Sequence, residues 1–400
     1  MKIIVITSNN PLSDSSAQSN RLSSLLRGLN NFDVQIEIVI NGGLLSKNER
    51  FTDTFQPIKE GPSYIYLNSF VLDSIWKQRL HTYILGWYRA KKQKNRLIEI
   101  IKNSKPDLIW YSLDYNSLKL VTAVQSKFKN IKTFIEISEH FDYYKSQDVN
   151  FLQYYLLSKK EALQIKLFQN NVTHVAFMTK NLINSYSQFI NKGAKFLHLP
   201  MTVDLERFEK TSELKFNKTI VYIGALNNKK DGVDILIKAF SIVSQNFPNW
   251  TLLIYGPEDV DKNNLINLVE QLKLTTKVFF KGVINKDKVP SVLKSAGILA
   301  LPRPKSKQAE GGFPTKLGEY LASSKPVCAT RIGEIDEYLI DNESVYFSSP
   351  NSVEDFARIL TKAIGNYKHA IEIGKNGRKV AERSFNSTIQ AEKLKKFLLN

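Results

Sequence analysis

The chain has 400 residues, 42% of them hydrophobic and 24% charged, and its formal net charge is +18. This composition is typical of a soluble globular protein and excludes a disordered chain, and the length allows two domains that each bury a core. The single cysteine, Cys328, excludes an intramolecular disulfide and a cysteine metal cluster. No signal peptide precedes the first strand-like segment, and no uncharged run approaches the ~18 residues that span a bilayer. We therefore expect a cytoplasmic protein.

The first half of the sequence alternates between apolar runs and amphipathic segments. Continuous apolar runs predict buried parallel strands at Lys2–Ser8, Val34–Ile40, Leu108–Ser112, Lys132–Ser138, His174–Thr179 and Lys195–Leu199. Helical spacing predicts helices at Gln18–Leu29, Leu72–Lys102 and Leu152–Gln169. The segment Leu44–Asn68 has no clear pattern. Strands alternating with helices predict a doubly wound sheet whose ligands bind at the carboxyl ends of the strands.

The second half repeats this alternation more regularly. Strands are predicted at Thr219–Gly224, Thr251–Tyr255, Val278–Lys281, Ile298–Leu301, Val327–Thr330 and Val345–Ser348. Helices are predicted at Gly232–Asn246, Asn263–Leu272, Lys288–Ser295, Pro314–Ser323, Ile335–Ile340, Ser352–Asn366, Lys368–Ser384 and Ser387–Leu399. The sequence therefore predicts an α/β protein with two Rossmann-like doubly wound domains, residues 1–200 and 201–385, that face a central cleft.

A glycine-proline turn at residues 311–314 leads directly into one of the predicted helices. Pro314 suits the first helical position, so the next backbone N–H groups, those of Thr315, Lys316 and Leu317, are expected to be free to bind an anion. The two glycines before Phe313, Gly311 and Gly312, permit close approach of a bulky ligand.

Lys316 and Glu319 lie three residues apart on one face of this helix. They offer a cation for a phosphate and a carboxylate for a pair of hydroxyls, the groups that a sugar nucleotide presents. The alternative interpretation is an ordinary capped helix with a solvated ion pair.

The segment Phe313-Pro314-Thr315-Lys316-Leu317-Gly318-Glu319-Tyr320-Leu321-Ala322, followed by Lys325-Pro326-Val327, resembles the donor-binding segment of a known family. The family is that of retaining, family 4-like glycosyltransferases with the glycosyltransferase B fold. Its signature contains two glutamates separated by seven residues. Glu319 matches the second glutamate. Glu310 stands nine positions earlier rather than eight, and we expect a bulge at Gly311 to let Glu310 reach the site.

The resemblance implies a retaining, metal-independent hexosyltransferase without a cofactor. The expected donor is a UDP- or GDP-linked nucleotide diphosphate sugar, and the acceptor is a hydroxyl of a glycan or lipid-linked molecule in surface polysaccharide or glycoconjugate biosynthesis. Lys316 would hold the diphosphate, Glu319 the ribose and Glu310 the transferred sugar. The resemblance also implies that a C-terminal helix, residues 386–400, packs back on the first domain, which binds the acceptor.

Two further segments of the second half are similar to this family. Residues 200–208 resemble its Pro-x-x-Val-Asp-x-x-x-Phe entry into the donor domain. Residues 224–232 are similar to its Gly-Arg-x-x-x-x-x-Lys-Gly loop, but Ala225 and Asp231 replace the arginine and the lysine. We expect Gly224, Lys229 and Lys230 to contribute to the donor site, although two solvated loop lysines are the alternative. Arg303, directly after a predicted strand, is expected to replace the missing arginine.

In the first half, His140 follows the predicted strand Lys132–Ser138 and resembles the family's histidine that faces the donor sugar through its ring or its carbonyl. The alternative is a loop histidine with one hydrogen bond. Its neighbour Glu139 is a candidate for taking the acceptor proton. The loop Asn9–Ser16 is expected near the transferred sugar or the acceptor.

The segment 77–105 contains nine Lys or Arg residues against one acid, Glu99. Aromatic residues are interleaved with them. A basic aromatic helix at 72–102 can rest on an anionic membrane surface, and packing of its apolar side on its own domain is the alternative. Nucleic acid is not expected as a partner, because no recognised binding motif accompanies the charge.

Other signatures and functions remain weaker. Asp259-Val260-Asp261 imitates a metal-binding Asp-x-Asp triplet, but two alternating halves argue against the single-domain fold that uses it, so no metal site is predicted. No dinucleotide or Walker phosphate-binding motif occurs. Cys328 is expected in the core. The alternative functions are a nucleotide-sugar epimerase of the same fold and a non-catalytic sugar-nucleotide-binding subunit.

Overall fold

The computed structural model describes residues 1–12, 17–42, 52, 54–58, 61–68, 86–142, 150–170, 172–209, 217–257 and 261–400. These residues form two compact units: unit 1 comprises Met1–Leu199 and Thr388–Asn400, and unit 2 comprises Pro200–Ser387. Each unit contains a largely parallel sheet with helices between its strands. The predicted α/β class with two Rossmann-like domains is thus confirmed. None of the helices in the described part is long and apolar enough to cross a membrane.

Unit 1 contains eight strands among its described residues. They are β1 (Lys2–Thr7), β2 (Gln35–Ile40), β3 (Gln56–Ile58), β4 (Gly61–Tyr66), β5 (Leu108–Tyr111), β6 (Lys132–Ile137), β7 (His174–Phe177) and β8 (Lys195–His198). The helices up to this point are α1 (Ala17–Asn30), α2 (Gly86–Ser104), α3 (Tyr115–Gln125), α4 (Phe151–Asn170) and α5 (Lys180–Tyr186). The strand order is β3-β4-β2-β1-β5-β6-β7-β8, and only β3 and β4 pair antiparallel.

The central strands of unit 1 are apolar on both faces because helices cover both sides of the sheet. In β1, the side chains of Ile3 to Ile6 are all at most 1% exposed. Because the chain winds outward in both directions from β1 and β5, the switch point of the sheet lies between these two strands.

Unit 2 contains a second sheet, in which all strand pairs are parallel. Its strands are β9 (Thr219–Ile223), β10 (Thr251–Tyr255), β11 (Val278–Gly282), β12 (Ile298–Leu301), β13 (Val327–Thr330) and β14 (Tyr346–Ser348), in the order β11-β10-β9-β12-β13-β14. The switch point therefore lies between β9 and β12.

The helices of unit 2 alternate with these strands. They are α6 (Glu206–Glu209), α7 (Asn228–Asp231), α8 (Val233–Asn246), α9 (Lys262–Gln271), α10 (Val289–Ser295), α11 (Lys307–Gly311), α12 (Thr315–Ala322), α13 (Val353–Gly365) and α14 (Tyr367–Val380). A π-helical turn, Ala381–Phe385, follows α14, and the last helix of the chain is α15 (Ser387–Leu399). The side chains of Ala391, Leu394 and Leu398 in α15 pack into the core of unit 1.

The sequence interpretation differs from the structure in several elements. It missed β4, because Pro62 and Ser63 interrupt the apolar pattern, and it missed α3 and the short helices α6, α7 and α11. The helix predicted at Ile335–Ile340 is a single 3-10 turn, Ile335–Glu337. Of the helix predicted at Leu72–Lys102, residues 72–85 lie outside the described part, as do residues 13–16 of the loop Asn9–Ser16 and Asp259 and Val260.

Candidate functional site

The carboxyl ends of β9 and β12 and the first turn of α12 lie together at the switch point of unit 2. The Tyr320 hydroxyl of α12 accepts a hydrogen bond of 2.8 Å from the backbone N–H of Ile223, the last residue of β9. A Cβ atom added to Gly224, the next residue, would lie 2.1 Å from Nζ of Lys316. The absence of a side chain at Gly224 therefore makes room for the ammonium group.

Lys316 reaches back from α12 to the loop after β9. Its Nζ donates hydrogen bonds to Oδ1 of Asp231 at 2.5 Å and to the Tyr222 hydroxyl at 3.0 Å. The ammonium also lies 4.8 Å from the centre of the Tyr222 ring, within the range of a cation–π interaction. The Tyr222 hydroxyl in turn donates to the Ala225 carbonyl at 2.8 Å. These contacts fix the position of the cation at the turn.

Burial and charge act in opposite directions on this lysine. Desolvation lowers the pKa of Lys316 below its ordinary value, the Asp231 carboxylate opposes this decrease, and the positive charges of Arg303 and Lys230 add to it. Burial is also the main reason why the pKa of Tyr222 is raised well above its usual value, so this phenol stays protonated. The aspartate that occupies the loop-lysine position of the resemblance thus acts as the partner of Lys316.

Arg303 follows β12 and is buried, with Nη2 3.4 Å from the Gln308 carbonyl. Lys229 and Lys230 lie in α7 and are exposed. The structure thus brings Lys316, Arg303 and Lys230 near enough for their charges to interact. Three cations around one buried carboxylate, Asp231, leave an excess of positive charge that suits a phosphate group.

The first turn of α12 differs in detail from the expectation. Pro314 is the N-cap and Thr315 begins the helix. The N–H group of Leu317 is not free, because it donates to the Pro314 carbonyl at 2.9 Å. The side chains of Phe313 and Leu317 are buried, and the Phe313 ring packs 5.3 Å from the ring of Phe385. Both side chains therefore serve the core of unit 2.

Glu310, Gly311 and Gly312 do not form the expected bulge. Residues up to Gly311 belong to the short helix α11, which Ser306 caps by accepting the N–H of Ala309, and Gly312 is its C-cap. The Glu310 carboxylate is half exposed, 3.6 Å from Nζ of Lys305. A helical turn accommodates the extra residue between the two glutamates.

Glu319 is held by an arginine that the sequence interpretation missed. Its Oε1 lies 2.7 Å from Nη1 of Arg207, whose Nη2 donates to the Lys286 carbonyl at 2.7 Å. Arg207 belongs to the segment that resembles the entry into the donor domain, but the family pattern leaves its position open. Only the structure shows that this arginine orients the carboxylate.

In unit 1, His140 is buried after β6 and both ring nitrogens have protein partners. Nδ1 lies 2.9 Å from the Tyr186 hydroxyl and Nε2 lies 3.0 Å from Oδ1 of Asn181. The Tyr186 hydroxyl also donates to Asp142 at 2.9 Å. This network engages the ring more fully than the single hydrogen bond expected of a loop histidine. Both ring nitrogens of His140 are therefore held by protein groups.

The switch point of unit 1 carries a small pocket with a buried ion pair. The Arg21 side chain of α1 pairs with Glu136 of β6 and donates to the Leu199 carbonyl at 2.8 Å. The lining also includes Ser112 and Ser138. Among the described residues of either unit, no group of three or more His, Cys, Asp or Glu side chains is arranged to hold a metal ion.

Solved structures of similar fold are glycosyltransferases of the B type. The sucrose-phosphate synthase of Thermosynechococcus elongatus superimposes with a TM-score of 0.76 at 16% identity, over 99% of this chain and 97% of the other. HepE of Anabaena, solved in complex with UDP and glucose, superimposes with a TM-score of 0.68 at 15% identity, over 100% of this chain and 99% of the other. The chain therefore has the glycosyltransferase B fold.

The sequence comparison matches most of the second unit to a family of glycosyltransferases. Residues 204–380 match the model of the glycosyl transferases group 1. An uncharacterized glycosyltransferase of Haemophilus influenzae is 27% identical over 167 residues, which are 42% of this chain and 45% of that protein. The alignment thus spans less than half the length of this relative. The second unit is therefore similar to the group 1 glycosyltransferases over residues 204–380.

Proposed function

We propose that the protein is a retaining, metal-independent hexosyltransferase, which moves a sugar from a nucleotide diphosphate sugar to a hydroxyl of a glycan or lipid-linked acceptor. The observation that carries this proposal is the cation of Lys316, held at the switch point of unit 2 between Gly224 and the start of α12. The match of residues 204–380 to the group 1 glycosyltransferases supports the reaction class, and the UDP and glucose in the HepE structure support UDP as the nucleotide. GDP is the other candidate.

In this proposal the leaving diphosphate is bound by Lys316, Arg303 and Lys230, with the backbone N–H groups of Thr315 and Lys316 at the helix start. Negative charge grows on this diphosphate as the glycosidic bond breaks, so cations fixed beforehand stabilise the transition state more than the ground state. The departing phosphate then helps to deprotonate the acceptor. No cofactor is required by these steps.

Glu319 is proposed to accept hydrogen bonds from the ribose hydroxyls. Arg207 contacts Oε1, and Oε2 is proposed to face the ribose. An ionised carboxylate accepts hydrogen bonds but cannot donate, which fits a diol. Glu310, at the end of α11, is proposed to bind the transferred sugar, for which its pair with Lys305 would have to yield.

The acceptor is proposed to be a precursor of a surface polysaccharide or glycoconjugate, bound by unit 1 at the inner face of the cell membrane. The basic segment 72–102 is proposed to contact anionic lipid there, although the structure describes this segment only from Gly86 onward. The described part of it exposes Lys91, Lys92 and Lys102.

The test has two stages. Thermal unfolding is first measured with UDP, GDP and their sugars, because a ligand that binds only the folded chain raises its midpoint. The stabilising donor, labelled in the sugar, is then incubated with and without acceptor lipids. Transfer to an acceptor with retained anomeric configuration supports the proposal. Conversion of the donor into another sugar nucleotide without acceptor indicates an epimerase. Binding without turnover indicates a non-catalytic subunit.

A further inference from the structure

The first three turns of α4 extend beyond the sheet of unit 1. Gln164 in this helix donates to the carbonyl of Leu113, two residues after the carboxyl end of β5, at 3.2 Å. Only Gln164, Leu167 and Phe168 are buried in the whole helix. At about 1.5 Å per residue, Phe151 therefore lies about 20 Å along the helix axis from Gln164, the residue that contacts the carboxyl edge of the sheet.

This projecting segment is apolar in every direction. Its first six residues, Phe-Leu-Gln-Tyr-Tyr-Leu, are all exposed, and five of them are aromatic or leucine. Phe151 is 87% exposed, Leu152 62% and Leu156 52%. Six consecutive residues make more than one full turn, so their side chains point in all directions around the helix axis. The exposed apolar surface of this segment is therefore not confined to one face.

Basic side chains lie beside this apolar end. Lys159 and Lys160 follow one turn later in α4, and Lys159 lies 4.4 Å from the centre of the Tyr155 ring. α3 packs between α2 and α4 in the same layer of helices. Gln93 of α2 donates to the carbonyl of Asn41, which directly follows β2. The exposed Lys91 and Lys92 come before Gln93 in α2, just as the apolar end of α4 comes before Gln164.

We propose that Phe151–Leu156 inserts into the interfacial layer of an anionic bilayer, with Lys159 and Lys160 at the level of the lipid headgroups. A protein partner or a second copy of the chain would cover one side of the helix, whereas a lipid interface surrounds it. Aromatic and leucine side chains followed by lysines suit the boundary between acyl chains and headgroups. The net charge of +18 adds long-range attraction to anionic lipid. This inference does not depend on the proposed sugar transfer.

The first experiment is flotation of the full chain with vesicles of phosphatidylcholine alone and with about 30% phosphatidylglycerol. We expect the protein to float with the anionic vesicles. Leu152→Ser/Leu156→Ser should lower the bound fraction about tenfold, because it removes two apolar side chains from the interface. The matched control, Val283→Ser/Ile340→Ser, replaces side chains that are 73% and 58% exposed elsewhere and should bind as the unchanged protein does. Equal binding of both variants would overturn the proposal.

The second experiment places an environment-sensitive dye at Leu156→Cys. The native Cys328 is fully buried, so the dye reacts at the new site in the folded protein. Its fluorescence should increase with anionic vesicles, while a dye at Val283→Cys should not respond. Light scattering without lipid tests whether a second copy of the chain binds this segment instead. A dimer that is lost in Leu152→Ser/Leu156→Ser would overturn the bilayer assignment in favour of self-association.

Discussion

At the scale of single residues, the site depends on how Lys316 keeps its charge in a largely buried position. Burial alone favours the neutral amine, and Asp231 restores the charged form by a hydrogen bond of 2.5 Å. A lysine with a lowered pKa loses its proton as the pH rises through that pKa. The cation that would bind a diphosphate is therefore present on the acid side and absent on the alkaline side.

Replacement of Asp231 should shift the pH dependence of the reaction. In Asp231→Asn the remaining influences on Lys316, which are desolvation and the charges of Arg303 and Lys230, all lower its pKa. We expect the alkaline limb of the kcat/KM profile to move to lower pH. Asp234→Asn, which removes a carboxylate paired with Lys238 at 3.1 Å, is the matched control and should keep the original limb. Identical profiles for both variants would show that Asp231 does not support the cation.

Removal of the lysine itself should affect turnover more than binding. We expect Lys316→Ala to lower kcat by about 10²–10³, the usual cost of losing one group that stabilises developing charge. The measurement is steady-state kinetics with the donor found by thermal unfolding. A change confined to KM would assign Lys316 to ground-state binding instead.

Glu319 should matter for donor affinity. We expect Glu319→Ala to weaken nucleotide binding by about tenfold or more, as hydrogen bonds to a charged group contribute about 1.5–3 kcal/mol. Arg207→Gln should weaken the same binding through the orientation of Glu319. Titration calorimetry with the nucleoside diphosphate measures both, and Glu372→Ala, a surface carboxylate paired with Lys375, is the control. Unchanged affinity in Glu319→Ala would remove the proposed ribose contact.

The sequence predicted the helix α12 because its apolar spacing is local. It could not predict the pairs Lys316–Asp231 and Glu319–Arg207, whose members are 85 and 112 positions apart. It also could not show that Tyr186 and Asn181 engage the ring of His140. Residues so far apart in the sequence come into contact because of the order of the strands in the sheet. The periodicity of the sequence does not predict that order.

At the scale of elements, the helix α14 packs closely against the backbone of the turn that follows α12. In α14, a Cβ atom added to Gly374 would lie 2.6 Å from the carbonyl oxygen of Ser324 and 2.8 Å from N of Pro326. These atoms belong to the turn between α12 and β13, so Gly374 positions the segment that carries Lys316 and Glu319.

Gly374→Ala should destabilise unit 2, because backbone atoms cannot move as readily as a flexible side chain. We expect a loss of about 1–3 kcal/mol in the free energy of unfolding, typical of overpacking. Gly365→Ala is the matched control, since no atom lies within 4 Å of its added Cβ. Denaturant unfolding of both variants makes the comparison, and equal stability would show that the turn can adjust.

The helix α15 was predicted with the bounds that the structure has, and the strand β1 differed by one residue at its end. The 3-10 turn at Ile335–Glu337 was predicted as a longer helix, because apolar residues near Leu339 extend the spacing beyond the turn. Short helices such as α7 were not predicted, because four residues are too few to show a helical pattern of apolar residues. Asn227 caps α7 by accepting the N–H of Lys230, a contact between side chain and backbone that only the folded loop reveals.

At the scale of the whole molecule, the last helix completes a unit that began at the first residue. Leu394 of α15 is fully buried in the core of unit 1. Leu394→Ala should cost about 2–5 kcal/mol of stability by leaving a cavity. Hydrogen exchange should show the loss in unit 1, while Ile389→Ala, at a side chain 37% exposed, should have little effect. Loss of protection confined to unit 2 would contradict this division.

Unit 1 is built from two segments that are far apart in the sequence, and this affects the order in which the chain can fold during synthesis. Residues 200–387 are contiguous and can fold as soon as they leave the ribosome, whereas the strands made first wait for Thr388–Asn400. Until Thr388–Asn400 have been synthesised, the nascent N-terminal sheet has an uncovered apolar patch where α15 will lie. Chaperone occupancy during synthesis should therefore persist on the earliest part of this polypeptide and end only after Thr388–Asn400 have left the ribosome.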